Sequence, residues 1–149
     1  MKKPGKSVGG FTLIELTVVL SVIAILAAIA IPNFLSFIAK SKQSEAKAML
    51  TMIAAYENDY KLRHGQFIAC PKNPQETKNL LTWTPNQPGW TELGFSPLGL
   101  RYYQYEVVLK DNSFVVRAEG NIDADKTLDE WELNGATYLL KNSTNDVYD

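Results

Sequence analysis

Cysteine and histidine are almost missing from this chain of 149 residues, which has one of each, Cys70 and His64. One cysteine cannot form an internal disulfide, and with one histidine it cannot supply the four ligands of a structural zinc site. The chain also has no glycine-rich phosphate loop and no Ser/His/Asp set that can be placed. We therefore expect no enzymatic activity, and the alternative of a membrane-anchored enzyme has no support in the residues.

Charged residues are absent from a long stretch near the N-terminus. From Leu16 to Ala39 there are 24 consecutive uncharged residues, rich in Val, Ile, Leu and Ala. At about 1.5 Å per residue, a helix of this length crosses a bilayer core of about 30 Å, so we predict a transmembrane helix. In a secretory signal peptide a shorter apolar region precedes the small residues of the cleavage site, whereas here the small pair Gly9 and Gly10 comes first.

The formal net charge of −1 hides an asymmetry along the chain. Lys2, Lys3 and Lys6 precede the apolar run, and the remainder carries 12 basic against 16 acidic residues, a net charge of −4. An acidic globular part argues against stable binding of nucleic acid. The leading lysines favour a cytoplasmic N-terminus, which places the globular part outside.

Glu15 is a carboxylate at the start of the apolar run. An acid in a membrane helix costs about 2.5 to 3.5 kcal/mol at mid-helix and less near an end, so it usually has a partner. No cation lies between residues 16 and 39. In one interpretation the helix dipole stabilises Glu15 at the headgroup level. In the other, cleavage after Gly10 gives Phe11 a free α-amino group that pairs with Glu15 of the same or a neighbouring chain.

The string GGFTLIE at residues 9–15, followed by an apolar helix with Pro32 in its second half, resembles the class III signal peptide of type IVa pilins. The resemblance covers about the first fifty residues. It implies that a prepilin peptidase cuts between Gly10 and Phe11 and methylates the new Phe11 amine. It also implies that Glu15 pairs with the N-terminal amine of an adjacent subunit as the helix leaves the membrane for the fibre core.

The fold and partners follow from the same resemblance. It implies an α+β pilin fold, in which a long N-terminal helix packs on an antiparallel sheet of about four strands. The expected parts are a cleaved leader at 1–10, a transmembrane and fibre-core helix at 11–39, and an extracellular head at 40–149. The implied partners are further copies in a homopolymer, the prepilin peptidase, and the assembly platform and motor proteins.

The expected location changes during assembly. The chain is expected to lie in the inner membrane as a single-pass protein before assembly, and in an extracellular pilus filament afterwards. A pseudopilin of a type II secretion system, or a minor pilin, is the alternative within the same broad family. Motility, adhesion, DNA uptake and electron transfer are not distinguished by these residues.

Pro32 is expected to disturb the helix. It has no N–H to donate and its ring clashes with the carbonyl of Ala28, which predicts a kink or local unwinding. A simple bend is one interpretation. The other, implied by the resemblance, is that residues 24–32 become extended in the assembled fibre.

The remaining pattern predicts one long helix followed by hairpins. The helix runs from about Thr12 to Arg63 and ends at the pair His64 and Gly65. Its side chains that face the core are predicted from three- and four-residue spacing: Phe34, Leu35, Ile38, Met49, Ile53, Tyr56 and Tyr60.

Five prolines between residues 65 and 100 predict an irregular connection. The predicted strands are Arg101–Lys110 and Ser113–Glu119, then Trp131–Leu133 and Thr137–Leu140.

An acidic loop follows the first predicted hairpin. Its oxygen-bearing side chains are spaced two apart, as calcium ligands are: Asp123, Asp125, Thr127 and Asp129. The loop is not an EF-hand, because Leu128 replaces the required glycine and Asn134 replaces the bidentate glutamate. Two interpretations stay open, a calcium site with Glu132 as a further donor and a solvated acidic turn without a cofactor.

The C-terminal region departs from the family pattern. Many type IVa pilins close this region with a disulfide, which a chain with Cys70 alone cannot form. Hydrogen bonds and packing of the last hairpin are expected to replace it. Cys70 itself is expected to be an inert thiol.

Overall fold

The computed structural model describes residues 9–75, 80–123 and 127–147. Its contacts divide the chain into two compact units, Met1–Leu35 and Ser36–Asp149. The helices and strands in chain order are α1 (Leu13–His64), β1 (Cys70–Asn73), β2 (Leu81–Thr82), α2 (Trp90–Leu93), β3 (Leu100–Arg101), β4 (Gln104–Lys110), β5 (Ser113–Gly120), β6 (Asp129–Asn134) and β7 (Leu140–Thr144). A long helix and an antiparallel sheet confirm the α+β class.

The first unit contains the start of α1, which is helical from Leu13 and continues through Pro32. Residues 24–32 are therefore helical in the isolated chain. Asn33, next to the proline, donates a hydrogen bond from Nδ2 to the carbonyl oxygen of Ile29 at 3.0 Å. The kink at Pro32 and the extension of this segment in a fibre stay predictions.

The second unit is built around a five-stranded sheet. Its strand order is β1-β4-β5-β6-β7, and every neighbouring pair is antiparallel. Burial alternates along β6: Asp129, Trp131 and Leu133 are buried, whereas the residues between them are partly exposed. This period of two is typical of a sheet with one covered face. A separate two-stranded ribbon pairs β2 with β3.

Two strand predictions need correction, and one strand was not predicted. The sheet has five strands, because Cys70–Asn73 forms an additional strand at its edge. This strand was not predicted because it contains Pro71, but proline is tolerated in an edge strand. The predicted strand Arg101–Lys110 is divided into β3 and β4. The last strand is Leu140–Thr144 instead of Thr137–Leu140, because residues 135–139 form the turn. The Asn134 side chain holds that turn by accepting hydrogen bonds from the Ala136 and Thr137 amides at 2.9 and 3.2 Å.

The buried face of α1 in the second unit differs from the predicted one. Its buried residues recur at three- and four-residue spacing: Ala39, Gln43, Ala46, Leu50, Ile53, Ala54 and Glu57. Of the predicted set, Ile53 is fully buried, and Met49 and Tyr60 are partly buried against the core. Phe34, Leu35 and Tyr56 are exposed. The apolar residues of this face share one core with Tyr103, in the loop before β4, and with Tyr105 on β4, both of which are fully buried.

A buried carboxylate, Asp129, joins the helix, the sheet and the C-terminal segment. Its Oδ1 accepts hydrogen bonds from Gln43 Nε2 at 2.8 Å, the Asp146 amide at 3.1 Å and Asn142 Nδ2 at 3.3 Å. Its Oδ2 accepts hydrogen bonds from the Tyr103 hydroxyl and the Trp131 indole N–H, both at 2.6 Å. These five bonds tie β7 and the segment after it to α1, which is the task that a disulfide would otherwise perform.

Replacing Asp129 with asparagine should strongly destabilise the second unit. Asparagine would replace one of the two accepting oxygens with an N–H₂ group, so that this group would face the donors of that oxygen. The Trp131 indole, for example, can only donate a hydrogen bond. Hydrogen bonds to a charged group contribute about 1.5 to 3 kcal/mol, so we expect the free energy of unfolding to fall by about 3 kcal/mol or more. Urea unfolding of the full chain in detergent micelles, followed by tryptophan fluorescence, measures this.

The matched control is Asp59→Asn. Asp59 forms a surface ion pair with Arg63 at 2.7 Å, and such pairs contribute less than about 1 kcal/mol. An Asp129→Asn variant that unfolds at the same urea concentration as the control would contradict a structural role for Asp129.

Candidate assembly site

The N-terminal end of α1 brings Glu15 back onto Thr12. Glu15 Oε2 accepts hydrogen bonds from the Thr12 backbone N–H at 2.9 Å and from the Thr12 hydroxyl at 2.7 Å. The Thr12 Oγ1 in turn accepts a hydrogen bond from the Glu15 amide at 3.3 Å. This reciprocal arrangement is a capping box, which satisfies amides that the first helical turn leaves without partners.

The capping box was missed in the sequence analysis, although the spacing Thr12-x-x-Glu15 was present to indicate it. It gives the carboxylate a partner within its own chain before any cleavage takes place. None of the bonds from Thr12 ends on Glu15 Oε1. This second oxygen can therefore accept a hydrogen bond from an amine without breaking the cap.

The residues of the expected cleavage site lie outside the helix. Gly9, Gly10, Phe11 and Thr12 precede the first residue of α1 and are exposed. A side-chain carbon built at Gly10 would meet no atom within 4 Å. The peptide bond between Gly10 and Phe11 is thus open to an enzyme, as a leader cleavage site requires. Met1–Val8 lie outside the described residues.

The apolar side chains of the first unit have no cover in the single chain. The large hydrophobic residues from Phe11 to Leu35 are 40% to 84% exposed. Leaving one such side chain in water costs about 1.5 to 3 kcal/mol relative to burying it. The first unit must therefore be covered by lipid or by protein.

The polar groups of this helix are satisfied within the helix itself. The Thr17 hydroxyl donates to the Ile14 carbonyl at 2.9 Å, and the Ser21 hydroxyl donates to the Thr17 carbonyl at 2.8 Å. Such internal satisfaction is what a helix needs in lipid, where water cannot replace a missing partner. The most apolar part of α1 is not buried in the chain, and α1 is long and apolar enough to span a membrane.

The predicted calcium ligands are not brought together as one described site. Asp125 lies outside the described residues. Both oxygens of Asp129 are occupied by the five donors given above, which leaves it committed to the fold. Among residues 9–75, 80–123 and 127–147 no group of three or more acidic, histidine or cysteine side chains could hold a metal ion. Calcium binding through Asp123, Asp125 and Thr127 stays a prediction.

Two further carboxylates of α1 point into the second unit. Glu45 accepts hydrogen bonds from the Tyr102 amide at 3.2 Å and the Tyr105 hydroxyl at 3.1 Å, and burial raises its pKa. Glu57 is completely buried and accepts one hydrogen bond at Oε2, from the Ile68 amide at 3.2 Å. In the part of the chain that the structure describes, Glu57 Oε1 has no hydrogen-bond partner.

Burial raises the pKa of Glu57 to about 7, since the charged form loses its hydration and gains only the Ile68 amide. Glu57 is not among the core-facing residues that the apolar spacing of α1 predicted. Nearby Cys70 is 2% exposed, and burial, followed by the charges of Glu57 and Glu92, raises the pKa of its thiol. A thiol in such surroundings stays protonated, as expected for an inert cysteine.

Comparison with known proteins shows two kinds of similarity. Residues 5–31 match the family model described as the prokaryotic N-terminal methylation motif. The chain is 57% identical to the type IV major pilin protein PilA of Myxococcus xanthus over 51 residues, which cover 34% of this chain and 23% of that protein. It is 38% identical to a fimbrial protein of Neisseria meningitidis over 58 residues, 39% of this chain and 34% of that protein.

A longer similarity covers the second unit as well. The chain is 30% identical to the type II secretion system core protein G of Pseudomonas aeruginosa over 138 residues, which cover 83% of this chain and 94% of that protein. By contrast, the chain spans only about a quarter to a third of the length of the two pilins above. No solved structure gives a significant match.

The ionisation of Glu57 should make the second unit less stable at neutral pH than in weak acid. In the unfolded chain Glu57 titrates near 4.5, and in the folded chain near 7. Between these values the folded state holds a proton that the unfolded state has released, so the free energy of unfolding falls as the pH rises. The fall levels off about one pH unit above the folded-state pKa and amounts to about 3 kcal/mol at most.

Glu57→Gln should remove this loss, because its neutral amide replaces the carboxylate at all pH values. The variant and the wild-type full chain are unfolded with urea at intervals from pH 5 to pH 8, and Glu106→Gln on the solvent face of the sheet is the control. The expected result is a gain in stability for Glu57→Gln that grows with pH. A difference from wild type that is constant across this range would show that Glu57 does not titrate there.

Proposed function

Since the chain belongs to the type IV pilin family, in the broad sense that includes the core protein of type II secretion systems, we propose that it is a structural subunit of a type IV pilus. One observation carries this proposal. The part of α1 that lies in the first unit exposes apolar side chains along its length, and residues 5–31, which include most of this part, match the N-terminal methylation motif. A surface of this kind is covered first by the membrane and then by other copies of the same helix.

Maturation is the first step of the proposed mechanism. The prepilin peptidase cuts between Gly10 and Phe11 on the cytoplasmic side and methylates the Phe11 amine. Lys2, Lys3 and Lys6 keep this end in the cytoplasm, and the cut removes them with the leader. The motif model spans both residues of the cut, which supports this step.

Assembly is the second step. The new amine of one subunit pairs with Glu15 of its neighbour, and Glu15 Oε1 is open to accept this hydrogen bond while Oε2 keeps the cap on Thr12. A contact between unlike surfaces that does not close on itself extends into a helical filament. Assembly platform and motor proteins supply the work of extraction. The role is mechanical and needs no catalytic residue of this chain.

A core protein of a type II secretion system is the second candidate. The match to core protein G over 83% of this chain favours it, because the matched pilins share the N-terminal part alone. Both candidates use the same N-terminal chemistry. They differ in whether the polymer reaches the cell surface.

Isolation of surface fibres decides between the two. We expect the main fibre protein to begin at Phe11 with one added N-methyl group, as read by mass spectrometry of the intact subunit. Deleting the gene should abolish these fibres and leave protein secretion unchanged. Loss of secretion with the surface fibres intact would instead support the second candidate, and the unprocessed precursor inside functional fibres would contradict both.

Replacing Glu15 with glutamine should prevent assembly without affecting insertion into the membrane. Glutamine keeps the size of the side chain and its ability to accept a hydrogen bond, but it loses the charge that pairs with the amine. A charge-assisted hydrogen bond contributes about 1.5 to 3 kcal/mol, so fibre yield should fall about tenfold or more. Immunoblots of sheared fibres and of membrane fractions measure the two pools.

Thr12→Ala is the matched control for this experiment. It removes both side-chain bonds of the cap and leaves the Glu15 carboxylate in place. Near-normal fibre yield is expected from Thr12→Ala, because the pairing with the amine remains. If both variants lost fibres equally, capping of the helix would explain the role of Glu15.

A further inference from the structure

A polar groove lies on the partly exposed face of the five-stranded sheet. It has a volume of about 330 Å³, which is near the lower end of the range for small-ligand sites. The charged side chains that line this groove, here called the sheet groove, are Lys72, Glu106, Arg117, Glu119, Glu130 and Glu132. Four carboxylates and two cations give it a net charge of −2, which favours a cationic ligand.

Cations of the same chain pair with three of these four carboxylates. Lys72 forms an ion pair with Glu119. Arg117 lies between Glu106 and Glu132, at 3.4 Å from the first carboxylate and 3.3 Å from the second. Among the described residues, the fourth carboxylate of the sheet groove is left without a cation.

Glu130 is this fourth carboxylate. Within the described ranges it accepts one hydrogen bond, at Oε2 from the Thr144 hydroxyl at 3.3 Å. The register of β5 and β6 places Glu130 directly opposite Glu119. Like charges in such positions of an antiparallel pair repel each other. A cation bound beside Glu130 would therefore relieve this repulsion.

A buried amide without a partner faces the same groove. Gln104 on β4 lies opposite Glu119 in the strand register, so its side chain shares one face of the sheet with Glu119 and Glu130. Gln104 lines the sheet groove although it is 3% exposed. None of the hydrogen bonds formed between described residues involves the Gln104 side chain. Such an amide carries a cost in free energy that a bound ligand would remove.

These acceptors fit a guanidinium group better than an ammonium group. Glu130 and the side-chain carbonyl oxygen of Gln104 accept hydrogen bonds from one side of the groove, and Glu119 adds a second negative charge. A guanidinium has five N–H donors in a planar fork and is more weakly hydrated than an ammonium group. It can therefore donate to a carboxylate and to an amide oxygen at the same time.

The three arginines of this chain are already engaged. Arg63 pairs with Asp59 on α1 at 2.7 Å. Arg101 donates a hydrogen bond to the Leu98 carbonyl at 2.5 Å. Arg117 is the cation that lies between two carboxylates of the groove itself. The structure therefore favours an arginine from another protein over one from a second copy of this chain.

We propose that Glu130 and Gln104 form a binding site for an arginine side chain of a partner protein. The guanidinium donates hydrogen bonds to the Glu130 carboxylate and to the side-chain carbonyl oxygen of Gln104. Lys72 and Arg117 hold the neighbouring carboxylates, so that these do not compete for the ligand. The site lies within one subunit and does not rest on the proposed function.

The probe for this site is N-acetyl-arginine amide, which presents one guanidinium and no other charge. It is titrated into the isotope-labelled full chain in uncharged detergent micelles, and binding is followed by the NMR shifts of backbone amides in β4, β5 and β6. N-acetyl-citrulline amide is the matched neutral compound. We expect the arginine compound to bind about ten times more tightly than the citrulline compound, and more tightly than N-acetyl-lysine amide.

Two substitutions test the two proposed acceptors. Glu130→Gln removes the unpaired charge and should weaken arginine binding about tenfold, whereas Gln104→Met removes the amide and should weaken it about threefold. Neither should lower the stability measured by urea unfolding, because the first ends the repulsion from Glu119 and the second removes an unpartnered buried group. Asp59→Asn, outside the groove, is the control and should bind like the wild type.

Several outcomes would overturn the site. Equal binding of the arginine and citrulline compounds to the wild-type chain would do so without any variant, as would equal or tighter binding of the lysine compound. Binding that is weakened by Glu130→Gln but not by Gln104→Met would show a general attraction to an acidic face instead of the proposed site. None of these measurements needs a filament, so a negative result leaves the proposed function standing.

Discussion

The apolar side chains from Phe11 to Leu35 are 40% to 84% exposed in the single chain. Contact of this segment with water has a large cost in free energy. In the proposed function, lipid meets this need before assembly and neighbouring helices meet it in a filament. The internal hydrogen bonds of Thr17 and Ser21 allow both environments, since neither side chain needs water. The function proposed here follows from this single requirement for cover.

The second half of α1 solves a different problem with different residues. It carries alanines and a few polar side chains on its buried face, and its apolar residues share one core with aromatic rings that include Tyr105 and Phe114. Asp129 then connects this face to the C-terminal strand through Gln43 and Asn142. A chain with one cysteine thus closes its C-terminal region with a buried carboxylate, which is effective only while all its donors stay in place.

Much of this architecture could be predicted from local patterns. The uncharged run and the pair His64 and Gly65 predicted α1, and the β-branched and aromatic residues of β4 and β5 predicted much of the sheet. The edge strand at Cys70–Asn73 could not be predicted, because it contains Pro71 and a proline in a short segment argues against a strand. The burial of Glu57 was also missed, since charge alone predicts exposure and the covering segment lies eleven residues away at Ile68. Long-range contacts, which a local pattern does not contain, decide both cases.

Glu15 shows how one carboxylate avoids being unpaired at any stage. In the precursor, the Thr12 amide and hydroxyl satisfy Oε2 and reduce the cost of holding an acid beside lipid. After the proposed cleavage, Oε1 offers a site to the amine of a neighbour without loss of the cap. A register that brings no amine to Glu15 would bury a charge with one oxygen unsatisfied, which costs several kcal/mol. In the proposed function, the same residue would therefore permit storage in the membrane and select the register of growth.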